Sequence, residues 1–327
     1  MYENVIVVTR RTRLQELISR FNTRAQAKFY IEHSGGDFSE YDQESETYKR
    51  AQDQLHKLLP SNLKVQFIER EFVSNFVFTQ SDIIVVLGQD GLVANTAKYV
   101  GNQPIIGINP DPSRYDGILV PNTLTGLRPA LESVLEDRAN TKNVTLALAQ
   151  LSDGQKLLAF NDLFIGARSH ISARYRIQLE KQSEQQSSSG VLISTGAGST
   201  GWLSSVFNMV ASVNQFLGKG RTKSLKLSWD DPALLYVVRE PFISKHSTAE
   251  MVAGILNSGT KMIIESRMAT EGTIFSDGVE SDFMPFNAGS VATISAAPNK
   301  ARLVMAPHAR TAGQTSHDEL KRSPVRA

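Results

Sequence analysis

Across its first 140 residues the chain alternates short β-rich runs with longer stretches of mixed polar and apolar character, and after about residue 141 that alternation stops. Strand–helix alternation is the pattern of βα units, whose strands join into a largely parallel sheet covered by helices. Runs at 5–9, 63–68, 82–87 and 104–108 read as the strands. Stretches at 14–21, 45–59 and 127–137 read as helices, the second stopped by Pro60 and the third with Thr125 or Gly126 near its cap and Pro129 in its first turn. Beyond residue 141, runs of strand length at 144–151, 155–160, 173–179, 190–194, 234–238, 262–265, 272–276 and 291–295 are separated by turn residues, with one helix at 202–217. That spacing predicts an antiparallel, sandwich-like second domain. The polar, Ser-rich stretch 182–189 reads as a hairpin loop, and the aperiodic residues from Pro307 onward as a tail. The expected fold class is therefore α/β + β: an N-terminal Rossmann-like α/β domain over 1–140, a C-terminal antiparallel β-sandwich-like domain over 141–306, and a polar tail over 307–327.

A chain of 327 residues can build two such cores. Thirty-five basic against 33 acidic side chains leave a formal charge of +2, without the global basic excess on which binding to nucleic acid or an anionic membrane draws. Having no cysteine, the chain can form no disulfide, thiolate zinc site, iron–sulfur cluster or cysteine nucleophile. No run approaches the ~20 apolar residues of a membrane span. At the N-terminus Val5-Ile6-Val7-Val8 precedes Arg10, Arg11 and Arg13, the reverse of the order in a secretory signal. A cytoplasmic protein with neither nucleic acid nor membrane as partner is expected.

Four segments carry the residues for chemistry. The apolar run 83–87 ends in Gly88-Gln89-Asp90-Gly91 and opens a helix. This brings backbone N–H groups and a positive helix end to a point where an anion can sit; equally, it reads as a tight turn capped by Asp90. Asn161-Asp162 puts two adjacent polar groups on opposite faces inside an apolar strand, and the one pointing inward needs a partner; a strand-end turn is the plainer reading. The run 190–193 feeds Ser194-Thr195-Gly196-Ala197-Gly198-Ser199-Thr200-Gly201-Trp202, whose hydroxyls and amides suit a ribose or phosphate and whose indole suits a flat base. Asp277-Gly278 reads as a two-residue hairpin turn. Arg10, Arg11, Arg13, Arg114, Lys219, Arg221 and Lys223 are candidate phosphate contacts, though each taken alone reads by default as a solvated surface charge.

In this order the four segments resemble the NAD kinase family, whose pattern runs Gly-Gly-Asp-Gly, Asn-Glu, a small-residue loop with Thr-Gly-Ser-Thr, and a late Asp-Gly. The resemblance covers roughly residues 80 to 300. Gly107-Ile108-Asn109-Pro110-Asp111-Pro112-Ser113-Arg114, Arg174-Tyr175 and Val238-Arg239-Glu240-Pro241 look like the branch containing the mitochondrial-type enzymes. It implies transfer of the terminal phosphoryl group of ATP, with Mg2+ or another divalent cation, to the 2′-hydroxyl of the adenosine ribose of NAD, by a homodimer or higher homo-oligomer. It also implies Asp90 as catalytic carboxylate, Gly88, Gln89 and Gly91 against phosphate, and Asn161, Asp162, Thr195, Gly198, Ser199, Thr200 and Trp202 around NAD, with Asn109, Arg114 and Asp277 as further candidates. Gln89 stands where the family has its second glycine, Leu92 where it has Thr, and Asp162 where it has Glu. A side chain at Gln89 would crowd a phosphate path, so a nucleotide sensor without phosphoryl transfer, or a related lipid or sugar kinase, is the alternative.

Overall fold

The computed structural model describes residues 2–220 and 225–306. β1 (Asn4–Thr9) is followed by α1 (Arg13–Phe21), α2 (Arg24–His33) and α3 (Phe38–Leu58), then by β2 (Lys64–Glu69), β3 (Asp82–Leu87), α4 (Asp90–Ala97), β4 (Pro104–Ile108) and α5 (Leu127–Leu135). The four strands are parallel in the order β2-β1-β3-β4. Their period of two sorts the side chains. Val5, Val7, Ile83 and Val85 pack with Tyr48 and Leu55 of α3 and Leu131 of α5, whereas Ile6, Val8, Ile84 and Val86 pack with Val93 and Ala97 of α4. With both faces covered, such strands are apolar throughout, which is why they are plain in the sequence. From β1 the chain turns to β2 on one side and then crosses to β3 on the other. The carboxyl ends of β1 and β3 therefore part around a crevice, the place where open α/β sheets take ligands.

The second half contains β5 (Thr141–Leu151), β6 (Lys156–Ala159), β7 (Asp162–Ala167), β8 (Ala173–Leu179), β9 (Gln182–Ser188), β10 (Val191–Ser194), α6 (Trp202–Phe216), β11 (Leu234–Val238), β12 (Ala253–Leu256), β13 (Met262–Ser266), β14 (Gly272–Ser276), β15 (Val279–Pro285) and β16 (Val291–Val304). One sheet, β12-β11-β10-β7-β14-β15, is antiparallel throughout. Its Leu163, Ile165, Ile193 and Ile274 pack face to face with Tyr175, Ile177, Met262 and Ile294 of a second layer, forming the expected sandwich. α6 covers the outer face through Leu203 against Leu192 and Leu235. The long β16 pairs antiparallel with β5 and β13, and its end (Arg302, Leu303) pairs parallel with Pro104 and Ile105 of β4. One ten-stranded sheet thus runs through both halves.

One sequence expectation is overturned. Residues 182–188 form the strand β9, paired with β8 along all seven residues, and not a hairpin loop. Its inward side chains are polar and most of their groups are paired, the Gln186 amide oxygen being buried without a partner. The Glu184 carboxylate accepts the N–H groups of Glu250 and Met251, Gln186 donates to the Met251 carbonyl, and Ser188 shares a 2.7 Å hydrogen bond with Tyr175. Residues 221–224 and 307–327, which include Arg221, Lys223 and the expected tail, lie outside the described residues.

Candidate active site

Gly88 to Gly91 lead out of β3 into α4 at the β1/β3 crevice. Gly88 donates to the Ile108 carbonyl, and a Cβ there would press on the Leu92 side chain; the space beside Gly91 is open. Gln89 caps α4 with φ −94° and ψ 170°, extended backbone that any residue adopts. The backbone at Gln89 therefore makes no demand for glycine. Asp90 opens the helix, and its carboxylate accepts the N–H groups of Ile118 (3.1 Å) and Leu119 (2.9 Å), one on each oxygen. Each oxygen keeps a lone pair for a further donor.

Beside this turn lies a cleft of about 500 Å³ lined by Gln89, Asn95, Tyr99 and Asp282, and by four arginines, Arg10, Arg11, Arg13 and Arg70. Buried Glu44 of α3 orients two of them, accepting Arg10 at 2.9 Å and Arg13 at 2.5 Å. Burial pushes the Glu44 carboxyl up, but the two guanidiniums outweigh it and hold it below the usual carboxylate range. The Arg10 Nε is buried without a partner. Tyr48, one turn further along α3, accepts the Arg10 N–H and donates to the Leu87 carbonyl, tying both strand ends to one helix. Arg11 pairs with Glu69 and Glu71 at the rim.

Asn161 and Asp162 stand at the entry to β7. The Asp277 carboxylate accepts the N–H groups of Phe160 (3.0 Å), Asn161 (2.6 Å) and Asp162 (3.2 Å), holding this corner of backbone. Asp277 and Gly278 form the β14–β15 turn with φ of 52° and 70°, the left-handed pair of a two-residue hairpin. Asp162 is buried, and its Oδ1 has no partner; burial raises its pKa to about 7, with the nearby charge of Asp277 adding to the shift. The small-residue loop folds onto the same corner. Thr195 donates its hydroxyl to the Phe160 carbonyl, Ser199 donates to that of Gly196, and the Gly198 N–H donates to Thr195 Oγ1. A Cβ on Gly198 would overlap the Asn161 carbonyl oxygen. Thr195, Gly198 and Ser199 are thus engaged in shaping the loop, while Thr200 is exposed.

Trp202 lies on the other side of the β14–β15 hairpin, where it stacks on Phe164 at 5.6 Å and 13°, with the Arg239 guanidinium 5.2 Å from its ring. Together with Phe275, Arg168 and Ser189 these residues line a cavity of about 530 Å³. The hairpin separates the two spaces, Val279 and Ser281 facing the arginine cleft and Glu280 the aromatic cavity.

No family model matches the chain. Over an alignment of 136 residues that covers 38% of the chain, the sequence is 33% identical to the NAD kinase of Geotalea daltonii, and the match spans 45% of that relative, less than half its length. Yeast NADH kinase, solved with NADH, superposes with a TM-score of 0.57 at 16% identity, over 93% of this chain and 83% of that one. The NAD kinase of Archaeoglobus fulgidus, solved with ATP, gives 0.55 at 15% identity, over 93% and 94%. The chain has the NAD kinase fold.

Set on that fold, the remaining candidates divide. Asn109 is buried and organises the loop that reaches Asp90: it donates to the Tyr115 carbonyl and accepts the Asp111 N–H. Arg114 turns toward Asp111 and the Glu40 carbonyl, away from the arginine cleft. Arg70, Tyr99 and Asp282 line the cleft, with Glu44 and Lys98 in contact with its residues, and the sequence does not mark these five. None lies in a motif, and of the five, Arg70 alone had a readable signal, being a cation at the end of a predicted strand.

Proposed function

We propose that the protein is an ATP-dependent NAD kinase, making NADP by moving the terminal phosphoryl group of ATP to the 2′-hydroxyl of the adenosine ribose of NAD. The observation that carries this reading is the Asp162 corner. A buried carboxylate oxygen without a protein partner, beside Asn161, is left for a ligand donor, and a ribose hydroxyl supplies one. The bacterial relative named as an NAD kinase, and the neighbours solved with NADH and with ATP, support the same substrates.

In this reading the arginine cleft takes the triphosphate, with Gln89 on its wall and Arg10 and Arg13 aimed by Glu44. The ribose 2′-oxygen attacks the terminal phosphorus, the bond to the β-phosphate oxygen breaks, ADP leaves, and the hydroxyl proton passes to Asp90. Two backbone N–H groups fix the Asp90 carboxylate, so the proton acceptor is oriented before substrate arrives. Trp202 and Arg239 offer a platform for a ring of the dinucleotide, and Thr200 an exposed hydroxyl.

Among the described residues no three His, Asp or Glu side chains gather into a metal cage. The cleft instead mixes Glu16, Glu69, Glu71 and Asp282 with its four arginines. That donor set fits Mg2+ held chiefly by phosphate oxygens and water, with one or two carboxylates, and such an ion supplies charge neutralisation on the phosphates. Among the described residues no helix is long and apolar enough to cross a membrane. Met209, Val213 and Phe216 leave an apolar row exposed on α6, in keeping with a homo-oligomer. Incubation of the purified protein with NAD, ATP and Mg2+ is expected to yield NADP; NAD binding without NADP formation would instead mark a nucleotide sensor.

A further inference from the structure

At the far end of α4 a lysine lies buried where the two halves of the molecule meet. The Lys98 side chain is 2% exposed, and its ammonium donates to Ser276 Oγ at 2.8 Å and stands 3.7 Å from Asp282 Oδ2. Burial pulls its pKa down, while the charges of Asp277 and Asp282 pull it up. Removing an ammonium from water is costly, and an apolar side chain would fill the same space without that cost. Asp282 reaches Lys98 through an irregularity of the hairpin, a register shift between Phe275 and Ser276, and it also accepts the Tyr99 hydroxyl. Bulges of this kind re-aim side chains next to functional sites.

The contacts form a continuous path. Asp90 opens α4 and Lys98 follows its last residue, so the two ends are joined by a rigid rod of eight residues, ~12 Å long. Lys98 grips Ser276, and the next residue, Asp277, holds the N–H groups of Phe160, Asn161 and Asp162. We infer that Lys98 is a positioning residue, linking the helix that carries Asp90 to the hairpin that fixes the Asn161–Asp162 corner, and so setting the distance between proton acceptor and ribose-binding groups. Its consequence for catalysis rests on the NAD kinase reading; the mechanical link does not.

The test pairs Lys98→Met with hydrogen exchange read amide by amide. The expected result is exchange about tenfold faster at Phe160, Asn161 and Asp162, with Val7 and Val85 in the parallel sheet unchanged, because charge-assisted hydrogen bonds of this sort are worth about one decade or more. In the active enzyme KM for NAD should rise about tenfold while KM for ATP stays within about twofold. Unchanged protection at residues 160–162, or a uniform rise across both sheets, would overturn the link. If Lys98→Met does not fold, Ser276→Ala removes the same hydrogen bond at lower cost and should give the same pattern at about threefold. Absence of NADP from the wild type would sink the kinase reading, and the exchange result would still decide the link.

Discussion

Asp162 is the residue whose chemistry can be read most directly. Its carboxyl is raised to about 7, chiefly by burial, from an ordinary value near 4. Between those two values the folded protein holds a proton that the unfolded chain has released, so stability falls as pH rises from about 4 to about 7 and levels off beyond. The span corresponds to roughly 4 kcal/mol at most. Asp162→Asn should abolish that slope, and urea unfolding at pH 5 and pH 8 should show the variant gaining on the wild type at the higher pH; parallel profiles would contradict the assignment. Under the proposed function the ribose hydroxyls donate to the ionised form, so the wild-type KM for NAD should fall as pH rises through about 7, a dependence that steady-state kinetics would find missing in Asp162→Asn. Gln89 makes a separate prediction. Its backbone is unstrained, so Gln89→Ala should fold normally and, by clearing the cleft wall, lower KM for ATP by about two- to fivefold with kcat little changed.

At the scale of elements, the loop from β10 into α6 is held by contacts a side chain would destroy. Gly198→Ala should cost about 2–3 kcal/mol in chemical denaturation, because the added carbon meets the Asn161 carbonyl, which is fixed backbone. Gly91, with open space around it, should tolerate Ala far better. Legibility followed the same physics. β1, β3 and β4 are buried on both faces and announce themselves as apolar runs, and the Asp277-Gly278 turn announced itself by its dipeptide. β9 did not, since a strand whose inward residues are Glu184, Gln186 and Ser188 is distinguishable from a loop only when the partners of those groups are known. α2 and the first turns of α3 carry no plain signal for a related reason: Ala27, Ile31 and Phe38 pack with Leu14 of α1 as a small layer of their own, with few apolar positions to mark a period.

For the whole molecule, the change of pattern near residue 141 reports a change of layer, while the ten-stranded sheet continues across it through β16 and β5. A pairing between residues near 104 and near 302 has no local signal, so the sequence cannot display it. The motif residues stand out in the sequence as a set of candidates, but what each one holds in the fold does not. Asp90 keeps lone pairs open and Gln89 lines the cleft, and Asp162 keeps one buried oxygen unpartnered, whereas Thr195, Ser199 and Asp277 are committed to holding the corner on which Asp162 sits. In the proposed function Asp90 is the group that takes the hydroxyl proton. The decisive measurement is phosphoryl transfer by Asp90→Asn, assayed as NADP formation beside calorimetric titration with NAD. Asparagine can still accept one of the two N–H groups at 118–119 but cannot take the proton, so NAD affinity should stay within a few-fold of wild type while kcat falls by ~10²–10⁴. A variant that binds NAD and turns over at the wild-type rate would remove Asp90 from the chemistry and contradict the mechanism at its centre.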